Sequence, residues 1–193
     1  MYYVVKYTGK FGFIKPWTAV RDGETFSQQF LTPSIIEGME KKLFPELLEN
    51  HGNVEKIKRH KLSYSSIDSQ QEVTQPRGWE IKKKEKAMVR GRSILKRGIM
   101  IDPVLFLAFD NKEDALIASK QHLCLCRNED IVLPDVEIYE MSEDEFAEIK
   151  GFELRFGESE YSFLVGYNRF DKAKPMFGWI EYAGQSLLND NKK

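Results

Sequence analysis

Histidine and cysteine are scarce in this sequence, three and two among 193 residues, and their scarcity removes several kinds of chemistry. Cys124 and Cys126 stand too close together to staple an ordinary disulfide scaffold, so a reducing cytoplasm is the expected compartment. His122, Cys124 and Cys126 alternate, and a strand would aim all three at one face. Structural zinc takes four ligands at characteristic spacing, and no fourth candidate follows. The two thiols are therefore expected to be buried and free. Glu129 and Asp130 would point to opposite faces of a strand, which makes a poor metal pair. No Walker A loop, dinucleotide fingerprint or nucleophile elbow occurs, and neither metal nor cofactor is expected. No apolar run approaches the roughly 20 residues that cross a bilayer, so no membrane partner is expected. The opening residues MYYVVKYTGKFGF lack the basic leader and apolar stretch of a secretory signal. Apolar residues nonetheless make up 41% of the chain, enough for one sizeable core.

What the sequence does have is a concentration of positive charge. Between Lys56 and Arg97, thirteen Lys or Arg stand against four acids, a net of +9. The whole chain is −1, so everything else carries −10. The segment also holds Tyr64, Trp79, many small polar residues and almost no apolar run from which to build a core. Cations clustered on an exposed arm seek phosphates, and an aromatic ring among them can stack on a base. A solvated lysine-rich loop is the plainer reading of such a run. The compensating acidity elsewhere is what points to nucleic acid.

The order of elements frames that arm. Tyr2–Tyr7 reads as a first strand, followed by a loop with Gly9 and Gly12, the stretch Phe13–Trp17 and a turn signal at 21–23. Thr32 is placed to cap a helix with Pro33 in its first turn. Ile35, Ile36, Met39, Leu43, Leu47 and Leu48 recur at helical spacing to about Glu49, with Pro45 expected to kink or break the run. Val54–Tyr64 reads as a second strand, and Ile99–Phe109 as a third. Asn111 caps a helix over 111–123, and Ile131–Met141 offers a fourth strand. Trp79–Val89 could supply the legs of a hairpin within the arm. Ser142–Lys150 reads as an acidic turn or short helix, before a hairpin over 151–167 and a last strand at Phe177–Tyr182. The sequence is thus expected to fold as an α+β, ferredoxin-like (RRM-related) domain over 1–141. A basic β-hairpin thumb is inserted at about 65–98, and a small C-terminal β extension covers 142–193. Whether that extension joins the main sheet or stands apart is left open by the pattern.

Several stretches also resemble a known family. They are the opening strand with its Gly9, Phe11, Gly12, Phe13 and Pro16 loop, and Phe30-Leu31-Thr32-Pro33-Ser34 leading to Gly38. Arg90-Gly91-Arg92-Ser93-Ile94-Leu95 and Cys124-Leu125-Cys126-Arg127-Asn128-Glu129-Asp130 continue the likeness. Over about the first 135 residues the chain is similar to the Cas five family of CRISPR Cascade subunits, nearest in look to type I-B relatives. That resemblance implies a non-catalytic subunit that caps the 5′ handle of a crRNA. It would dock against a Cas seven-type backbone subunit and a Cas eight-type large subunit, with target DNA near the PAM-proximal end as a further partner.

On this reading Arg90, Arg92, Lys96 and Arg97 grip handle phosphates. Lys82 and Lys84 line the thumb, as does Lys83. Arg59, His60 and Lys61 face RNA from a sheet-edge strand, and Lys15, Trp17 and Arg127 contact it from loops. Trp79 stacks on a splayed base, worth roughly 1–3 kcal/mol, or else anchors the thumb by packing. Ser34 offers the start of the first helix to a phosphate, or merely caps it. The competing enzymatic reading is a metal-independent ribonuclease that processes precursor crRNA. It would need a base and a cation near a 2′-hydroxyl, and His60, Lys61 and Tyr64 are the only cluster with those side chains. A generic RNA-binding module outside CRISPR is the other alternative.

Overall fold

A computed structural model of the chain describes residues 1–16, 23–74, 78–84, 86–168 and 170–183, with the main chain of 185–186. Trp17 and most of the turns expected at 21–23 and 75–78 lie outside the described residues. The first elements are β1 (Tyr2–Gly9), β2 (Phe11–Gly12), β3 (Glu24–Phe26) and α1 (Pro33–Leu43). They are followed by β4 (Ile57–Ser63), β5 (Ser66–Thr74), β6 (Glu80–Lys82), β7 (Ala87–Val89), β8 (Ser93–Ile101) and β9 (Val104–Phe109). Then come α2 (Lys112–Ala118), β10 (Leu123–Cys124), β11 (Ile131–Met141) and α3 (Glu143–Glu148). The chain closes with β12 (Phe152–Phe156), β13 (Phe163–Asn168), β14 (Lys174–Tyr182) and β15 (Gln185–Ser186). No helix among the described residues is long and apolar enough to cross a membrane.

The fold is mixed α+β, with three helices around one large antiparallel sheet. Its strands run β10-β11-β1-β9-β4-β12-β14-β13, and β15 pairs with β14. Within it, β1-α1-β4-β9-α2-β11 places its four strands in the spatial order β11-β1-β9-β4. The C-terminal strands therefore continue the main sheet. They join it beside β4, at a single register pair between Phe152 and Leu62.

Strand β1 is apolar on both faces because both are covered. Val5 and Tyr7 join the larger core with Leu105, Leu107 and Phe109 of β9, under Ile36, Met39 and Leu43 of α1 and Ala115 and Ala118 of α2. Val4 and Ala108 point the other way, against Phe146 of α3. Burying a side chain the size of Phe146 is worth about 2–3 kcal/mol. That helix is short, but Ser142 and Glu145 form a reciprocal capping box at its start. Helix α2 is capped as the sequence predicts, with Asn111 Oδ1 accepting from the Asp114 N–H at 2.8 Å. At α1 the expectation is corrected. Thr32 makes no side-chain cap bond, and its carbonyl accepts from Ile35 and Ile36 instead. The helix stops at Leu43, and Pro45 begins a separate 3-10 turn over Pro45–Leu47, because proline cannot extend the ladder.

Glu40 of α1 does work that the sequence did not advertise. Its buried carboxylate accepts from the backbone N–H groups of Glu55, Lys56 and Ile57, at distances between 2.6 and 3.1 Å. It thereby fixes the chain as it enters β4. The thiols also depart from expectation: Cys124 is half-buried and Cys126 is exposed, since β10 is only two residues long.

Candidate nucleic-acid interface

Nine consecutive register pairs, Ser66↔Ile101 through Thr74↔Ser93, join β5 and β8 into a long hairpin. A smaller hairpin of β6 and β7 follows, Glu80↔Val89 to Lys82↔Ala87. The hairpin legs expected over Trp79–Val89 are these two short strands. Along the shaft and tip, Lys82, Lys83, Lys84, Lys86, Arg90, Arg92 and Lys96 are exposed. Lys84, Arg92 and Lys96 make no ion pair among the described residues, although Lys96 stands opposite Glu24 of β3 in register. The guanidinium of Arg90 sits 4.6 Å from the centroid of the Trp79 ring, a cation–π contact that leaves Trp79 more than half exposed.

Large apolar groups stand among these cations. Val73 pairs with Ile94 and Ile81 with Met88, and all four side chains are mostly exposed. Cross-strand apolar pairs hold a hairpin together. Left in water they also mark a surface fit for contact. The sequence shows these residues, but only the register reveals that they pair.

The root of the hairpin is clamped. Phe13, itself buried, has two guanidinium groups over its ring, those of Arg97 and Arg127, each 5.4 Å from the centroid. Arg97 also pairs with Glu72 at 3.4 Å. Arg127 holds the buried Asp130 through Nε at 2.9 Å and Nη2 at 2.7 Å, and reaches Gln70 of β5 at 3.4 Å. The Asp130 carboxylate raises the Arg127 pKa still further. Arg97, expected to grip phosphate, and Arg127, expected to contact RNA from a loop, are instead engaged with the protein and fix the hairpin to the body. Phe13, Gln70, Glu72 and Asp130 belong to this clamp. Phe13 and Asp130 fall in two of the stretches that carry the family resemblance, whereas nothing in the sequence marks Gln70 and Glu72.

Two other site residues lie apart from the clamp. Lys15 is exposed on the loop after β2, and Ser34 is exposed at the start of α1 with its hydroxyl 3.1 Å from that of Thr32.

The expectation for Arg59, His60 and Lys61 is overturned. Strand β4 is interior to the sheet, between β9 and β12, and all three side chains are buried. Arg59 forms a bidentate pair with buried Glu153 at 2.6 and 2.8 Å, and meets Glu143 of α3 at 3.3 Å. Burial opposes that charge, but the Glu153 carboxylate outweighs it and holds the guanidinium pKa up. Lys61 Nζ donates to the carbonyls of Ala147 at 2.6 Å and Ile149 at 2.9 Å, while its own burial lowers its pKa. Lys56 and Lys58 are likewise paired, with Glu46 and Asp114 and with Asp110. The basic segment is therefore two things: a strand whose cations serve the fold, and a hairpin whose cations face solvent. The reason is sequence distance, since Glu143 and Glu153 lie more than eighty residues beyond Arg59.

His60, Lys61 and Tyr64 do not assemble into a solvent-open cluster. His60 and Lys61 are successive strand residues and point to opposite faces. Burial drives the His60 pKa down to about 4, so its ring is neutral near pH 7. Tyr64 stacks on Phe152, with ring centroids 6.4 Å apart. Among the described residues no group of three His, Cys, Asp or Glu is placed to hold a metal ion.

No protein-family profile matches the chain, and no curated protein matches it. A solved structure does resemble it: a chain of a CRISPR RNA-guided surveillance complex, at a TM-score of 0.51 and 11% sequence identity. The likeness covers 97% of this chain and 92% of that one. At that identity it is a likeness of fold, and it extends over the hairpin and the C-terminal strands as well as the central sheet.

Proposed function

We propose that this chain is an RNA-binding subunit of a type I CRISPR Cascade complex. In this reading it is a Cas five-type, ferredoxin-like protein that caps the 5′ handle of the crRNA without cutting it. The strand order β11-β1-β9-β4, read with the connection β-α-β-β-α-β, supports the ferredoxin-like assignment. The whole-length likeness to a chain of an RNA-guided surveillance complex supports the complex. The observation that carries the reading is the solvent-facing cationic hairpin. It bears exposed Lys84, Arg92 and Lys96 outside any ion pair among the described residues, an exposed Trp79 beside Arg90, and four exposed apolar side chains. Cations bind phosphate, the indole edge and apolar pairs meet bases or a neighbouring subunit, and the clamp at Phe13 presents them at a fixed angle.

RNA reaches the hairpin rather than the broad sheet. The face opposite α1 and α2 is roofed by α3, whose Glu143, Asp144, Glu145 and Glu148 repel phosphate. Cas seven-type and Cas eight-type subunits are the protein partners in this reading, with target DNA near the PAM-proximal end, in the cytoplasm. The nuclease alternative has less support, because His60 and Lys61 are buried and face apart. The test is to purify the protein from its host and sequence the RNA that accompanies it. A crRNA population with one uniform 5′ end, together with Cas seven-like proteins, is the expected result. Heterogeneous cellular RNA would refute the reading. Cleavage of unprocessed repeat RNA in EDTA would refute its non-catalytic part.

A further inference from the structure

The seam between β4 and β12 is unzipped. The two antiparallel strands pair only at Phe152 and Leu62, and past that point their facing edges diverge. A cleft of about 600 Å³ occupies the gap, walled by residues 58–60 on one side and 153–158 on the other, with Ile36 of α1 and Met176 of β14 beside it. The Nε2 of His60, fully buried on this wall, has no hydrogen-bond partner. A buried polar atom left unpaired costs roughly 1–3 kcal/mol, a cost a fold does not usually leave standing.

We infer that this cleft receives an extended, uncharged peptide segment of a partner protein, seated as an added strand between β4 and β12. Three observations select that occupant. Strand edges on both sides carry main-chain groups without a ladder partner, and an extended main chain supplies the complementary N–H and C=O groups. Ile36, Ile57, Leu154 and Met176 give the cleft an apolar lining for an aliphatic or aromatic side chain. The charges around it are already answered: Arg59 by Glu153, Lys58 by Asp110, Arg155 by Glu181 at 3.9 Å. Glu158 remains on the rim. Each cation on the cleft is thus already paired and none is left free to hold a phosphate, so a neutral segment fits. The inference does not depend on RNA binding.

The test uses the full chain, isotope-labelled, titrated with blocked heptapeptides of sequence GTVXTVG in which X is Ala, Leu, Phe, Asp or Lys, and separately with AMP. The Leu or Phe peptide is expected to shift the resonances of His60, Leu154 and Met176 saturably. It should also slow amide exchange over residues 58–61 and 153–156, while the Asp and Lys peptides bind at least tenfold more weakly. Met176→Ala, at a half-buried lining position, keeps the fold and weakens the best peptide about fivefold, the share of one apolar contact. Failure of every peptide to bind, binding at another edge, or AMP shifting the seam in place of peptide would overturn the proposal. So would edge amides already as protected in the free protein as those of β1 and β9, which would mean a closed seam.

Discussion

Replacing Arg90, Arg92 and Lys96 together by Ala removes three hairpin cations that serve no buried contact. Exposed substitutions of this kind change stability by less than about 0.5 kcal/mol, so the effect falls on binding. Each phosphate neutralised on a single strand contributes about 0.7 to the slope of log affinity against log salt, and three lost contacts flatten that slope by about 2. Between about 50 and 200 mM salt, the native protein should lose about twentyfold more affinity than the variant does. Fluorescence anisotropy with a labelled single-stranded repeat RNA, read across that range, measures it. Arg127→Ala is the internal control. Its guanidinium is held by Asp130 and Gln70, so its loss should loosen the hairpin root and leave the slope within one unit of native. A triple variant with the native slope would refute the assignment of these cations to phosphate. An Arg127 variant as flat as the triple would refute the division between clamp and grip.

Glu40→Ala strips three backbone N–H groups of their acceptor and should cost at least about 3 kcal/mol, read as a fall in the urea midpoint; Glu40→Gln should cost less than half as much. Glu153→Ala leaves buried Arg59 with only Glu143 at 3.3 Å and Glu181 at 4.0 Å, neither bidentate, and should cost about 3 kcal/mol. Arg59→Met with Glu153→Leu should recover most of that loss, and failure to do so would mean the pair contributes more than mutual compensation. The folded pKa of His60, about 4, lies below its unfolded value near 6.5. The stability due to the neutral ring is therefore complete above about pH 6.5 and is lost as pH falls toward 4, approaching about 3 kcal/mol. Thermal melts between those limits should show this decline in the native protein and a shallower one in His60→Phe; equal slopes would sink the account.

Local signals carried well through this chain. The β1 run, Pro33 opening α1, Pro45 ending it, the Asn111 cap and the fourth strand each depend on neighbours within a few residues, and each is legible without a structure. What depends on distant partners was hidden. Alternating basic residues in β4 look like a wet edge because nothing nearby reveals that Glu143, Glu153 and the carbonyls of Ala147 and Ile149 will cover them. The same holds at the candidate interface. Its cations are visible as composition, whereas the split between Arg97 and Arg127 at the root and Arg92 and Lys96 beyond it requires Phe13, Glu72 and Asp130 to be in place.

The clamp at Phe13 has a mechanical consequence. Arg97 stands opposite Gln70, the fifth of the nine register pairs, so the four pairs beyond it, at about 3.4 Å each, leave a lever of roughly 14 Å before the β6–β7 tip is added. A tilt of about 10° at the Arg97–Phe13–Arg127 fulcrum would carry the shaft's far end through about 2.4 Å, half the spacing of neighbouring strands. Small adjustments in one aromatic sandwich are therefore passed outward as displacements close to the length of a hydrogen bond, and the stiffness of that joint governs where the outer cations come to rest.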